Sequence, residues 1–315
     1  MPDLRLKRTS RELFLSVLTG GAGDLETWVI DRMTSLAEEE DVEAGKRLFA
    51  QGELPEYIFF IGEGAVGLER DGSRAWLFEG RSVIGAFDAM IDRPHARTAV
   101  AMTNLHLLRI RVDEWLDLLE DSFGLARAAV RNSVTTVAAA EARFWAAHTP
   151  SRASAIVPTH AAGEPLDFIE RLAILADLPL VRGGGIQVLV ELADSVEELT
   201  FEPGDPIFER GKWRGQAFLL LHGEADSERV APDAKVRFGP GSLVGGVASL
   251  GEPILAWQAR AVTRVRALSI RIEDWFDRME EHFDLVRSVL AALALMREAV
   301  LDDLAATQQG DLRVG

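Results

Sequence analysis

A chain of 315 residues with 48% apolar and 27% charged content is globular and long enough for two cores. Its net charge of −16 is shared, −7 over residues 1–150 and −9 over 151–315, so neither half is a basic module and the long-range pull toward nucleic acid or an anionic membrane is missing. There is no cysteine, hence no disulfide framework and no thiol nucleophile, and the charged N-terminus MPDLRLKRTSRELF is unlike a secretory leader; with no apolar run near the ~20 residues of a membrane span, a cytoplasmic protein is expected.

After a charged segment over residues 1–20, helical spacing runs from about Leu25 to Leu36. Short runs punctuated by glycine follow: LFAQG, YIFFIGEG, AVGLER, RAWLFEG, RTAVAM and LHLLRIR, several alternating apolar and polar at period two. Helical spacing returns from Val112 to about His148. The Pro- and Ala-rich stretch around residues 148–165 reads as a linker. The order then repeats: helices over Leu166 to Leu192 with interruptions, glycine-bounded β runs, and helical spacing from Ile272 to about Thr307, with a tail over 308–315.

The two halves are copies of one plan. GKRLFAQG, YIFFIGEG, SVIG and RVDEWLDLLEDSFGLAR answer to GDPIFERG, QAFLLLHG, SLVG and RIEDWFDRMEEHFDLVR. The pairs Gly45/Gly204, Phe49/Phe208, Gly64/Gly223 and Pro94/Pro253 keep one offset, and Gly85/Gly245, Trp115/Trp275 and Phe123/Phe283 keep an offset larger by one. A mainly β fold with flanking helices (α+β) follows, built as two tandem barrels, 21–147 and 166–307, each closed by C-terminal helices.

Helix, jelly-roll-like barrel, then helices, with G-D-x-I-F-x-x-G entering one hairpin, resembles the cyclic-nucleotide-binding domain family over roughly residues 20–145 and 170–305. The resemblance implies a phosphate-binding cassette between two barrel strands, of the approximate form F-G-E-aliphatic-A-L followed by P-R-A-A, with backbone N–H groups of a helix N-terminus against the phosphate. In the first copy Gly85 and Pro94 fit, but Ala86 stands for the ribose-binding Glu and His95 for the phosphate-binding Arg. Gly85, Ala86, Arg93, His95, Arg97 and Thr98 are therefore the candidate ligand residues, with Asp88 set against a phosphate and ordinary surface charge as the plain alternative for this group. The second copy puts Gly246 and Ile254 at those positions, after Gly245, and is expected not to bind cyclic AMP or cyclic GMP.

Other signals are weak. GEGAVG (Gly62 to Gly67) has the spacing of a dinucleotide fingerprint, but LERDG follows where a helix should open, so a hairpin is expected. Six scattered histidines without cysteine partners give no metal site, and no serine sits in G-x-S-x-G, so no enzyme and no cofactor beyond a cyclic nucleotide ligand is expected. Val286, Val289, Leu293, Met296 and Val300 form an a/d-type stripe that serves either its own barrel or a homodimer seam. The functional expectation is a regulatory, signal-coupled protein acting on a protein partner of unknown identity, without nucleic acid or membrane. The alternative is a receptor that binds a nucleotide second messenger in the first domain by a non-standard set of contacts.

Overall fold

The computed structural model describes residues 12–16, 25–147, 165–212, 215–228, 235–251, 257–307 and 312–314. The chain forms two compact units, one of residues 1–132 with 294–315 and one of residues 133–293.

In the first unit a helical stretch over 12–16 (α1) and α2 (Thr27–Leu36) precede the strands β1 (Glu38–Val42), β2 (Arg47–Phe49), β3 (Tyr57–Glu63), β4 (Ala65–Arg70), β5 (Ser73–Glu79) and β6 (Ser82–Ile84). The short helix α3 (Ala86–Met90) leads to β7 (Thr98–Ala101) and β8 (Leu105–Arg111), and α4 (Val112–Asp121) and α5 (Phe123–Ala147) follow, with α5 in this unit only as far as residue 132. Two antiparallel sheets, β1-β8-β3-β6 and β5-β4-β7-β2, enclose a core that includes Phe49, Phe59, Val66, Trp76 and Leu107, while Phe60, on the other face of β3, packs on Phe14 and Trp115 of the helices.

The second unit repeats the order. α6 (Phe168–Ala176) and α7 (Gly185–Ser195) lead into β9 (Glu197–Phe201), β10 (Pro206–Phe208), β11 (Gln216–His222), β12 (Ala225–Glu228), β13 (Lys235–Phe238) and β14 (Leu243–Val244). α8 (Gly246–Gly251), β15 (Gln258–Ala261), β16 (Val265–Arg271), α9 (Ile272–Glu281) and the part of α10 (Phe283–Thr307) up to Leu293 complete it. Its sheets, β9-β16-β11-β14 and β10-β15-β12-β13, have the strand order of the first unit's, so the repeat seen in sequence is a repeat of topology: two β-sandwich domains, each with flanking helices.

Local chemistry explains the element ends. Gly64 lies between β3 and β4 at φ 103°, and a Cβ there would meet the Asn104 carbonyl oxygen at 2.5 Å, so only glycine fits the turn. GEGAVG is thus a hairpin, as its sequence context implies. Helix α4 buries Trp115, Leu118 and Leu119 on one stripe and carries Asp113 and Glu114 in its first turn, where the helix dipole favours anions. Asp167 and Glu170 form a capping box at the start of α6.

The C-terminus departs from the collinear arrangement of repeats. Residues 312–314 form β17 (Leu312–Val314), which pairs in parallel with β5, Leu312 opposite Trp76 and Val314 opposite Phe78. It makes the four-stranded sheet of the first unit five-stranded, in the order β17-β5-β4-β7-β2. The physical reason is burial: Leu301, Leu304, Leu312 and Val314 are 1%, 1%, 0% and 7% exposed. The last part of α10 and the strand after it therefore supply core to the first unit, although the expected domain limits give residues to 307 to the second.

The a/d stripe divides in the same way. Val286, Val289 and Leu293 are buried in the chain itself, at 1%, 0% and 0% exposure, whereas Met296 and Val300 are partly exposed. Three of the five positions named for a homodimer seam thus serve the chain's own core, because a side chain already sealed from water has no apolar area left to bury on association. Leu293→Asp is expected to unfold the second unit, since an ionised carboxylate in an apolar interior costs several kcal/mol. Circular dichroism and size-exclusion chromatography check this; a folded monomer from a wild-type dimer would return Leu293 to a subunit seam.

Among the described residues no helix is long and apolar enough to cross a membrane.

Candidate functional site in the first unit

Gly85 ends β6 at φ 89°, and a Cβ there would lie 2.9 Å from the Tyr57 carbonyl oxygen. This left-handed residue turns the chain into α3, beginning at Ala86, and presents Asp88 to the loop that follows. That loop is tied down at His95 by two backbone bonds, His95 N to Glu53 O at 2.8 Å and Gly52 N to His95 O at 2.8 Å. Thr98 belongs to the same anchorage, its hydroxyl accepting from Gln51 N at 3.0 Å.

Asp88 is 8% exposed and organises the loop. Its carboxylate accepts from Arg93 Nε at 2.7 Å, faces His95 Nδ1 at 3.2 Å and accepts from Ala96 N at 3.3 Å. Burial opposes its ionisation, but the hydrogen bonds from His95 and Arg93, the Arg93 charge and the Ala96 N–H outweigh it and hold the carboxyl below its ordinary pKa. An ionised Asp88 only accepts, so His95 Nδ1 carries the proton. The His95 ring is 3% exposed and stacks on Phe49 with centroids 3.7 Å apart.

Arg97 is the centre of the site. Its side chain is 4% exposed, with Cζ 3.6 Å from the centroid of Trp76 on β5. Nη1 donates to Glu298 Oε1 at 2.9 Å and Nη2 donates to Asp302 Oδ1. Both carboxylates come from α10, one turn apart on the same face. Glu298 also accepts from Arg93 Nη2 at 2.7 Å and Arg70 Nη2 at 2.9 Å, and Asp302 accepts from Arg70 Nη1 at 3.0 Å. The same helix lays Arg297 over Phe87 and Phe78, 5.0 and 5.8 Å from the ring centroids. Its guanidinium end is buried although the residue as a whole is partly exposed, and that burial pulls its pKa down to about 10.

These residues are not the solvated surface charges of the plain sequence alternative. Asp88, His95 and Arg97 are buried, and each has an opposite charge or a hydrogen-bond partner that makes burial tolerable. Asp88, expected to stand against a phosphate, is paired with Arg93 and His95. Four participants went unseen in the sequence: Arg70, Trp76, Glu298 and Asp302. The two acids are spaced i, i+4 on a helical stretch and lie more than two hundred positions from the arginines they bind, so only that spacing was available as a signal.

A family model described as the cyclic nucleotide-binding domain matches residues 39–122 and 198–282, more than half of the chain. The chain belongs to the cyclic nucleotide-binding domain family. No curated protein sequence matches it. Its fold is similar to the regulatory domain of Toxoplasma gondii PKA in a co-crystal with cAMP, at 13% identity and TM-score 0.35, covering 90% of this chain and 95% of that one. It is also similar to a mutant regulatory subunit of a cAMP-independent protein kinase A from Trypanosoma brucei, bound to cAMP in the A site, at 17% identity and TM-score 0.39, covering 96% and 92%. The corresponding subunit from Trypanosoma cruzi, bound to guanosine, aligns at 16% identity and TM-score 0.36, covering 86% and 85%.

The second cyclic nucleotide-binding domain treats the equivalent place differently. Gly245 ends its β14 at φ 83°, with the Phe208 ring so close that a Cβ would lie 2.3 Å from it. A Cβ on Gly246 would meet the Leu243 side chain at 2.0 Å. Ile254 lies outside the described residues. The residue entering β15 is Trp257, where Arg97 enters β7, and it packs at 5.5 Å on Phe208, which in turn packs at 5.3 Å on Phe218. The first domain's cassette is faced by charge, the second's by aromatic rings.

Elsewhere in the second domain, Glu191, Glu281 and His282 bring their ligand atoms within 4.8 Å of one another. Arg278 stands among them, Nε 3.3 Å from Glu191 and Nη1 2.7 Å from Glu281, so a cation is already present and the group reads as an ion-pair cluster.

Proposed function

We propose that the chain is a non-enzymatic regulatory protein acting through a protein partner, and that neither cassette takes a cyclic nucleotide in the family's manner. The observation that carries this is Arg97: buried beside the first cassette, it is already held by two carboxylates of the same chain. The space left among Phe49, Trp76, Gly85, Phe87, Arg93 and Arg97 is about 20 Å³. That is room for about one water molecule, against the roughly 300 Å³ or more of a typical small-molecule pocket. Ala86 and His95 stand where the family resemblance places the ribose-binding Glu and the phosphate-binding Arg, and both cassettes are degenerate on this reading. Each lost charge-assisted contact is worth roughly 1.5–3 kcal/mol, so losing two weakens binding on the order of 10²- to 10⁴-fold.

A role through surface contact is supported by Ile169, Ile186 and Val190, which the paired helices α6 and α7 leave 66%, 68% and 40% exposed. Ile186 and Val190 are spaced i, i+4 and so share one exposed face of α7, and an apolar face marks a contact surface where it is contiguous.

Isothermal calorimetry against cyclic AMP, cyclic GMP and cyclic dinucleotides is expected to give no heat up to millimolar ligand. Micromolar binding at one site per chain would overturn the reading and favour the receptor alternative, with Arg93, His95 and Arg97 as the contacts to test.

A further inference from the structure

The two domains share one strand order but differ at a sheet edge. In the first, β5 is covered by β17, which runs parallel to it with Leu312 opposite Trp76, Arg313 opposite Leu77 and Val314 opposite Phe78. In the second, β13 holds the place of β5 at the end of the sheet β10-β15-β12-β13, and among the described residues no strand pairs with its outer edge. The repeat carries Trp76 and Phe78 onto Val236 and Phe238, which are 1% and 4% exposed and belong to the second core. The devices that usually blunt an open edge are missing from this strand. It contains no proline, and it pairs with β12 in unbroken register from Ala225 opposite Phe238 to Glu228 opposite Lys235. Arg237, which alternates with the two buried residues, is neutralised by Asp226 and Glu224.

We infer that the outer edge of β13 is a docking site for an extended segment of a partner protein, which joins the second sheet as a short parallel strand of the pattern apolar-basic-apolar. The twin edge shows the chemistry it accepts. Leu312 and Val314 of β17 are 0% and 7% exposed, while the Arg313 side chain between them is 75% exposed. Backbone N–H and C=O groups of an edge supply the binding, and side chains that alternate toward the core supply the selectivity. Beside β13 the inward pair extends the core at Val236 and Phe238. The central residue lies next to Arg237, Asp226 and Glu224, whose summed charge of −1 favours a base there over an acid. β13 has 4 residues, so the incoming strand is about as short as β17. A second copy of this chain does not supply it, because residues 312–314 of each copy are already buried against their own β5. The dock rests on the reading that the chain acts through a protein partner, and gives that partner its place.

The probe is a synthetic peptide with the sequence of residues 310–315, GDLRVG, added to the full chain and followed by hydrogen exchange with mass spectrometry. At about 1 mM peptide, exchange over residues 235–238 is expected to slow at least about fivefold, while residues 73–79, already covered by β17, stay unchanged. Methylating the peptide's amide nitrogens one at a time is expected to weaken binding about tenfold at alternate residues only, because a strand turns every second N–H toward a given neighbour. Replacing the peptide's leucine and valine by aspartate is expected to remove the protection. No slowing over 235–238, slowing confined to 73–79, or equal tolerance of every methylation overturns the dock. Protection of 235–238 that grows with protein concentration in the absence of peptide gives the edge to a second copy and likewise overturns a separate partner. The functional reading fails by a different result: micromolar binding of cyclic AMP overturns that reading, whereas an unprotected β13 overturns the dock alone.

Discussion

A chain cut after Leu293 is expected to lose the first domain while keeping the second, although the cut lies more than 160 residues beyond the last strand of the first barrel. The missing segment carries Leu301, Leu304, Leu312 and Val314, all nearly or fully buried in the first unit. At roughly 1.5–3 kcal/mol for each buried side chain, their loss removes on the order of 6–12 kcal/mol. A whole domain is stable by only about 5–15 kcal/mol. Hydrogen exchange read by mass spectrometry is the measurement, with protection lost across β3, β4 and β5 and retained across β11 and β16. Full protection of both barrels in the shortened chain would show that the C-terminal segment is an ornament on a self-sufficient fold.

Arg97→Ala is the second large effect, about 3 kcal/mol of first-domain stability in a denaturant titration. Removing one member of a buried pair costs about 3–5 kcal/mol because its partner is left desolvated. Here Glu298 keeps Arg70 and Arg93, and Asp302 keeps Arg70, which places the loss near the lower end. The loss also contains the stacking of the guanidinium on Trp76. Arg97→Lys is expected to recover only part of it, because an ammonium neither spans two carboxylates as a planar fork nor stacks as a guanidinium does. If Arg97→Ala shifted the transition by less than about 1 kcal/mol, the pairing would be incidental to the fold.

Much of the architecture was legible in the sequence because it is written locally. Period-two runs bounded by glycine gave the strands, and the landmarks repeated at nearly constant spacing gave two copies with one topology. The helices around Trp115 and Trp275 followed from their apolar stripes. The candidate site was legible by half. Gly85, Arg93, His95 and Arg97 were found because the family pattern points to that loop, and the structure does bring Arg93, His95 and Arg97 around Asp88 and the start of β7. Their partners were not found, because an ion pair between Arg97 and Glu298 leaves no trace in either local sequence; each residue alone reads as a solvated helix or loop charge. The a/d stripe of α10 was seen but could not say which core it fed, since a buried leucine has the same pattern whichever barrel it enters. That ambiguity concealed the return of the chain to the first domain.

The parallel pairing of β17 with β5 also fixes an order of events during synthesis. The second domain is contiguous, so all its residues have been made before the first domain has its last strand. At roughly 5–20 residues per second, the early barrel waits on the order of 10 to 40 s after residue 132 for the segment that completes it. Throughout that interval the edge of β5 lacks its neighbour, an opening for strand exchange between nascent chains. The part of this protein that is made first is the part that finishes folding last.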